Sequence, residues 1–370
     1  RRREAFAQAW LAFMLVLLGR YIESAQLARE SLRASTETGD LWTQAGSLRL
    51  LGATALYRGN LDEAAAYLEH CRAICHEIGE VRIRVYAHAN LGLVHYWYGA
   101  YDRSKMYFNE AIRDSYDSGD RLRRADVLCE YGRLLLATGE FDQAIEVAKE
   151  CIAIYKDLGR SSVSIAQTVL GTALRLQGEV EAAEQALTVG LQLARDLAHR
   201  PDMALAIEGL GCLSHERGDD ASAVKCFNEA LEIWRELGHE PQMAVIYSRL
   251  GRSLAHKSGG LAGARSAYRQ ALEYALRRRA APVALEVFTG LAELQIRENN
   301  TEAAEILIQA ALTHPAAAQE TKLHAAQLAA AGPRRGRIST AYTAPADWQR
   351  LAREFIDSGT ISNSQSSSPK

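Results

Sequence analysis

Small residues recur along this chain at a period of nearly forty residues, and this period constrains the fold more than any other feature of the sequence. One period contains four small positions, which in its clearest copy are Gly92, Gly99, Ser104 and Ala111. Repeats of this length are typical of arrays in which each structural unit buries its apolar face against its neighbours. The period therefore predicts a chain of stacked, similar units rather than two or three separate globular domains.

Each small position favours a particular local structure. The first position holds Ala12, Gly52, Gly92, Gly132, Gly171, Gly211, Gly251 and Ala292. The second holds Gly19, Gly59, Gly99, Gly139, Gly178 and Gly218, then Gly259-Gly260 and Asn299 in the last two units. A small residue inside a helix lets a neighbouring helix approach closely, and Gly or Asn between two helices suits a left-handed turn. Each unit is therefore predicted to be a helix, a tight turn and an antiparallel helix.

The order of Leu-Gly, turn Gly, Ala and Ala resembles the tetratricopeptide repeat (TPR) family. The resemblance covers about residues 5–313, or eight units. It implies an all-α fold: a TPR solenoid, a right-handed superhelix of about eight helix-turn-helix repeats with a C-terminal helical cap. The period of 40 exceeds the family's usual ~34 residues, and the family's Trp before the Leu-Gly glycine is absent. These departures resemble the longer-helix TPR region of bacterial STAND and maltose-regulator-type signalling proteins, in which the array follows an ATPase module.

The sequence divides into three predicted segments. Residues 1–314 form the TPR array, residues 315–357 form C-terminal capping helices with a basic loop, and residues 358–370 form a disordered tail by composition. The basic and apolar start of the chain imitates a signal peptide, but it falls in register with the repeat and is too short to span a membrane as a helix. We therefore expect a fragment of a longer polypeptide.

Composition and motifs argue against several functions. The net charge is −2, and the chain has no nucleotide-binding loop, no H-E-x-x-H and no G-x-S-x-G sequence. None of the six cysteines forms a C-x-x-C pair, and Cys71 and Cys151 occupy a small repeat position, which predicts buried thiols in a reducing cytoplasm. We therefore expect a cytoplasmic protein without enzymatic activity, cofactor, metal, membrane or direct nucleic-acid contact.

Candidate binding residues follow from the TPR resemblance, because the first helix of each unit lines the concave surface in that family. The candidates on this face are Arg49, Tyr57, Tyr86, Tyr96, Trp97, Arg133, Arg175, His215 and Arg252. In one interpretation they form a groove that stacks rings and pairs carboxylates or phosphates. In the other, the aromatic residues belong to the inter-repeat core and the arginines form solvated pairs with glutamates.

These features favour a non-catalytic module that binds a protein or peptide segment on the concave face, as the sensor or scaffold part of a larger bacterial regulator. One alternative is a sensor of a small molecule or peptide signal that controls an attached ATPase or transcription regulator. Another is a free-standing adaptor for protein complexes. Self-association through the end repeats is a further possibility. The sequence does not discriminate among these functions.

Overall fold

The structure is a computed structural model that describes residues 1–159, 163–331 and 347–358. Within these residues it contains eighteen helices and no strand. The first sixteen form eight antiparallel hairpins: α1 (Arg2–Leu17) with α2 (Tyr21–Thr38), α3 (Leu41–Tyr57) with α4 (Leu61–Ile78), α5 (Val81–Tyr98) with α6 (Tyr101–Asp117), α7 (Arg121–Thr138) with α8 (Phe141–Asp157), α9 (Ser164–Gln177) with α10 (Val180–Asp196), α11 (Arg200–Glu216) with α12 (Asp220–Leu237), α13 (Glu240–His256) with α14 (Leu261–Arg278), and α15 (Ala281–Arg297) with α16 (Thr301–Thr313). Helices α17 (Gln319–Ala331) and α18 (Trp348–Ser358) follow. The predicted all-α solenoid, a right-handed superhelix of about eight helix-turn-helix repeats, is confirmed.

Turn and cap residues set the limits of the helices as predicted. The turn residue Gly99 has a φ of +74°, and Asn299 adopts the same left-handed region with a φ of +61°. Asp40 and Asp120 precede α3 and α7, and their carboxylates accept hydrogen bonds from backbone amides in the first turn. These contacts satisfy free N–H groups at the helix starts.

The small positions allow the two helices of each unit to pack closely. A Cβ atom on Gly92 would lie 2.9 Å from the ring of Phe108 on the partner helix. At the same crossing, the hydroxyl of Ser104 donates a 2.8 Å hydrogen bond to the carbonyl oxygen of Gly92. Cys71 and Cys151 are free and fully buried, as predicted, and each thiol lies against a backbone carbonyl of the facing helix.

The superhelix closes on itself along one seam. The turns of the first four units pack against later parts of the chain: Gly19 against Leu237, Gly59 against Pro241 and Tyr274, Gly99 against Pro282 and Ala316, and Gly139 against Gln319. A side chain at these glycines would overlap its neighbour across the seam. The seam therefore converts the concave face of the solenoid from an open groove into an enclosed lumen.

Two further helices cover the last unit. Helix α17 packs on α15 and α16 and also reaches α7 across the lumen, whereas α18 packs on α14 and α15. Helix α17 is rich in alanine, and a turn precedes it in which the ring of His314 accepts a 3.1 Å hydrogen bond from the amide of Ala316. The predicted basic loop and most of the predicted tail lie outside the described residues, and the predicted segment boundaries remain a prediction.

Across the part of the chain that the structure describes, no helix combines the length and hydropathy that are needed to cross a bilayer.

Candidate functional site

The lumen contains two adjoining cavities, which we call the N-terminal chamber and the C-terminal chamber. The N-terminal chamber has a volume of about 530 Å³ and is lined mainly by helices of units two to six. The C-terminal chamber has a volume of about 170 Å³ and is lined by units three to eight together with α17. Arg133, Ile165, Leu205 and Gln242 line both chambers, so the two cavities adjoin at these residues.

Aromatic rings form one wall of the N-terminal chamber. Tyr21 and Tyr57 stack with ring centroids 5.0 Å apart, and His239 lies between Tyr57 and Trp234, at 5.6 and 5.0 Å. Burial raises the pKa of Tyr57 to about 12. Burial, with help from Arg133, lowers the pKa of His239 to about 3. All of these rings are therefore neutral at pH 7.

Three carboxylates line the N-terminal chamber, and two of them lie beside a basic side chain. Glu130 accepts a 2.9 Å hydrogen bond from the guanidinium of Arg133. Asp202 lies 3.1 Å from the Nδ1 atom of His199, whose pKa the carboxylate raises, and also accepts a hydrogen bond from the hydroxyl of Ser164. Each of these two groups therefore has a basic neighbour within the wall.

Asp126 is the third carboxylate. Its two oxygens accept hydrogen bonds from the hydroxyls of Tyr155, at 2.7 Å, and Tyr86, at 3.2 Å. Among the described residues it has no ion pair, and burial raises its pKa because these two hydrogen bonds offset only part of the lost hydration. Asp126 is therefore a half-buried carboxyl group with no directly bound cation among the described residues.

The C-terminal chamber holds a connected network of ion pairs. Arg249 bonds to Glu208 at 2.5 Å and lies 3.5 Å from Glu286. Arg175 pairs with Glu216 and bonds to Glu320 of α17 at 3.0 Å. Burial alone would raise the pKa of Glu320, but the positive charges of the nearby arginines lower it to about 2. The carboxylate is therefore fully charged at pH 7 and ties α17 to the lumen.

A second set of polar contacts positions α17. The Nδ1 atom of His324 lies 2.9 Å from the hydroxyl of Thr289 and 3.4 Å from the guanidinium of Arg252. Just before the helix, the hydroxyl of Tyr101 donates a 3.2 Å hydrogen bond to the carbonyl oxygen of Ala316. Only Thr321 and Ala325 of the helix itself are buried. Charged and hydrogen-bonded groups therefore hold α17 in place together with the apolar contacts of Ala325, Leu328 and Ala329.

The structure brings most of the predicted site residues together in this lumen. Tyr57, Tyr86 and Arg133 line the N-terminal chamber, and Tyr96, Trp97, Arg133, Arg175 and Arg252 line the C-terminal chamber. Arg175 is only 2% exposed, so its pairs with glutamates are buried rather than solvated. The binding role of these residues stays a prediction.

Two predicted site residues line neither chamber. The guanidinium of Arg49 lies between the rings of Phe13 and Tyr86, at 5.4 and 5.3 Å from their centroids. The Nδ1 atom of His215 is 2.6 Å from the carboxylate of Asp220, and its ring packs against His256. Arg49 therefore supports the wall from behind Tyr86, and His215 is held by neighbouring side chains.

The repeat pattern did not identify Tyr21, Trp234, His239 and Glu320. Tyr21 and Trp234 lie on second helices, which the TPR resemblance places away from the concave face, and Glu320 lies on the cap. They reach the lumen because the seam brings early and late units of the array together. No local sequence pattern predicts that contact.

Within residues 1–159, 163–331 and 347–358, no group of three or more His, Cys, Asp or Glu side chains is arranged to hold a metal ion.

Two sequence models, both described as tetratricopeptide repeat, match the chain. One matches residues 84–157 and 202–277, and the other matches residues 44–78. Together they cover half of the chain, from the second unit to the seventh. No curated protein sequence matches this chain.

Solved structures share the fold at low sequence identity. A Rap protein complexed with competence and sporulation factor is 15% identical, with a TM-score of 0.60, and the match covers 89% of this chain and 96% of that one. The Cut9–Hcn1 hetero-tetramer of the APC/C is 15% identical with a TM-score of 0.54, covering 86% and 53%. A signal transduction ATPase with numerous domains and a tetratricopeptide repeat sensor, from Pyrococcus horikoshii, is 10% identical with a TM-score of 0.45, covering 83% and 52%. At these identities the similarity shows the fold alone.

Proposed function

Because this chain belongs to the tetratricopeptide repeat family, we propose that it is a non-catalytic module that binds a peptide or an extended protein segment inside its lumen. One observation carries the proposal: the concave face encloses a chamber of about 530 Å³ with neutral aromatic walls and a half-buried carboxyl group that has no bound cation among the described residues. Ligand sites are typically concave and largely apolar, with a few polar groups that fix orientation.

The comparison with the Rap protein is consistent with this proposal. That protein has a similar fold over nearly its whole length, and its structure contains a bound factor. The Cut9–Hcn1 assembly has a similar fold in a multi-protein complex. Proteins with a similar fold therefore occur both with a bound factor and in a multi-protein assembly. The enclosed lumen of this chain favours a slender ligand over a globular partner.

We further propose that the module is the sensor or scaffold part of a larger bacterial regulator in the cytoplasm. A ligand in the lumen contacts early and late units at once, so binding stabilises the closed superhelix relative to any more open form. Such a change in the equilibrium provides a signal that an attached domain can read.

A second candidate, self-association through the first unit, is supported by a separate surface. Phe6, Trp10, Leu11 and Met14 of α1 are 43–53% exposed, and contiguous apolar exposure of this kind is typical of protein interaction sites. Light scattering coupled to size exclusion tests it. A monomer at micromolar concentration, or a dimer that persists after Trp10→Glu with the fold retained, would contradict it.

Selection from a random peptide library tests the proposed lumen site. We expect bound peptides whose affinity falls at least about tenfold in Tyr57→Ala, which removes a chamber wall. The matched control is Tyr116→Ala, because Tyr116 is 56% exposed on α6 and lies outside both chambers. Equal loss in both variants, or no enrichment of any peptide, contradicts the proposed function. Circular dichroism checks that both variants keep their helical content.

A further inference from the structure

We propose that the N-terminal chamber binds the side-chain cation of a basic residue in the peptide, an ammonium or a guanidinium, with Asp126 as its counter-ion. This inference rests on the proposed function and names the chemical class of its ligand. Three independent features of the chamber support it: the charge balance of its wall, the ring faces around it and a buried donor without a partner.

Asp126 differs from the other two carboxylates of the wall in its neighbours. Glu130 and Asp202 have basic partners in Arg133 and His199, whereas Asp126 has no ion pair among the described residues. Arg123, whose charge also acts on Asp126, forms its own ion pair with Asp120. A cation from outside the chain would therefore neutralise the only unpaired carboxylate in this wall.

The geometry of Asp126 leaves room for such a cation. An ionised carboxylate offers about four acceptor positions on its two oxygens. Tyr86 and Tyr155 each fill one of them, one on each oxygen. Because both donors are neutral hydroxyls, the remaining positions can accept charge-assisted N–H bonds, which are stronger than neutral ones.

The aromatic wall suits a cation that has lost part of its hydration. Ring faces attract ammonium and guanidinium groups within about 6 Å of the centroid. The chain already uses this contact beside the chamber, because the guanidinium groups of Arg49 and Arg123 lie 5.3 and 5.4 Å from the ring centroid of Tyr86. Tyr57 and Trp234 line the chamber itself, where Tyr57 packs against Tyr21 and both rings pack against His239. Neither ring has a cation over it among the described residues.

A buried donor indicates that the ligand also carries a carbonyl group. Trp234 is only 2% exposed, it lines the chamber, and its Nε1 atom has no hydrogen-bond partner among the described residues. Unpaired buried N–H groups are rare because each costs the hydration that it loses. A peptide that contains Arg or Lys supplies both the cation for Asp126 and an acceptor for Trp234, whereas a simple amine supplies only the cation.

The test uses capped hexapeptide mixtures in which one position is fixed as Arg, Lys, citrulline or Glu and the others are random. Binding to the full chain is followed by tryptophan fluorescence and by thermal shift. We expect Arg or Lys mixtures to bind at least about tenfold more tightly than citrulline or Glu mixtures at one position. We expect Asp126→Asn to abolish that preference while the exposed control Asp117→Asn keeps it.

Two further arms separate the possible outcomes. Trp234→Phe removes the unpaired donor but keeps a ring, so it should weaken all mixtures and retain the preference for a cation. Spermidine and free arginine should bind much more weakly than the Arg mixture, and tight binding of either overturns the peptide source. Peptide binding without a charge preference, or a preference that survives in Asp126→Asn, overturns this inference and leaves the proposed function standing. No binding of any mixture overturns both.

Discussion

The two chambers of the lumen differ in how completely the chain pairs its own buried charges. In the C-terminal chamber, Arg175 and Arg249 each contact two or more glutamates. Among the described residues of the N-terminal chamber, Asp126 has no directly bound cation. This difference indicates that the ion pairs of the C-terminal chamber mainly maintain the architecture. The carboxyl group of Asp126, which has no bound cation, can instead contribute to the binding of a ligand. Substitutions in each chamber should therefore have opposite effects on stability.

The largest expected effect is at the centre of the paired network. Arg249→Met leaves Glu208, Glu286 and Glu320 without their shared cation, and breaking a buried ion pair costs about 3 kcal/mol of unfolding free energy. Urea unfolding followed by circular dichroism measures it. The matched control is Arg217→Met, which breaks an exposed pair with Glu184 and should leave the midpoint unchanged. If both variants unfold at the same urea concentration as the parent, the C-terminal chamber is not a stabilising network.

A smaller loss is expected at the contact that holds α17. Glu320→Gln removes the negative charge between Arg175 and Arg249 and should lower stability by about 1–2 kcal/mol. Hydrogen exchange should rise first in residues 319–331, because Glu320 is the residue of that helix that forms ion pairs with Arg175 and Arg249. Unchanged exchange there would show that α17 is held by other contacts.

The pH dependence of the same variant has a definite sign. The pKa of Glu320 is lowered to about 2 in the folded protein, from an ordinary value of 4.5. Its stabilising contribution is therefore complete above pH 4.5 and is lost as the pH falls towards 2. The parent and Glu320→Gln should differ most at neutral pH and converge in acid. A difference in unfolding free energy that grows as the pH falls would contradict the lowered pKa of Glu320.

The smallest expected effect is a gain in stability in the N-terminal chamber. Asp126→Asn keeps the shape of the side chain and removes a half-buried carboxyl group that has no bound cation. The thermal midpoint at pH 7 should therefore rise by an amount equivalent to about 1 kcal/mol in the free energy of unfolding. Because burial raises the pKa of Asp126 above 3.8, the parent loses stability as the pH rises through the folded-state value. Below pH 3.8 both side chains are neutral and the two proteins should unfold alike. A destabilised variant at pH 7 would mean that the carboxylate is already balanced.

The sequence could predict the scaffold because each unit is specified by local residues. The absence of a side chain at Gly92 leaves space for the ring of Phe108, and the left-handed turn at residue 99 favours glycine. Both features recur about every forty residues. The candidate residues on first helices also follow from this period, which is how Tyr57 and Arg133 were predicted to share a face. The presence of Tyr21, Trp234 and Glu320 in the wall of the lumen depends instead on the pitch of the superhelix. Pitch accumulates from small rotations between units, and no single residue encodes it.

The seam between early and late units changes how this array should fold. An open solenoid has contacts only between neighbours, so it can nucleate anywhere and fray from its ends. Here the turns at Gly19 and Gly99 join segments more than two hundred residues apart in sequence, which raises the contact order and adds the entropy of closing a long loop. The ends should therefore dock late in folding. Once docked, they should open together, so that the first and sixth units behave as one cooperative unit.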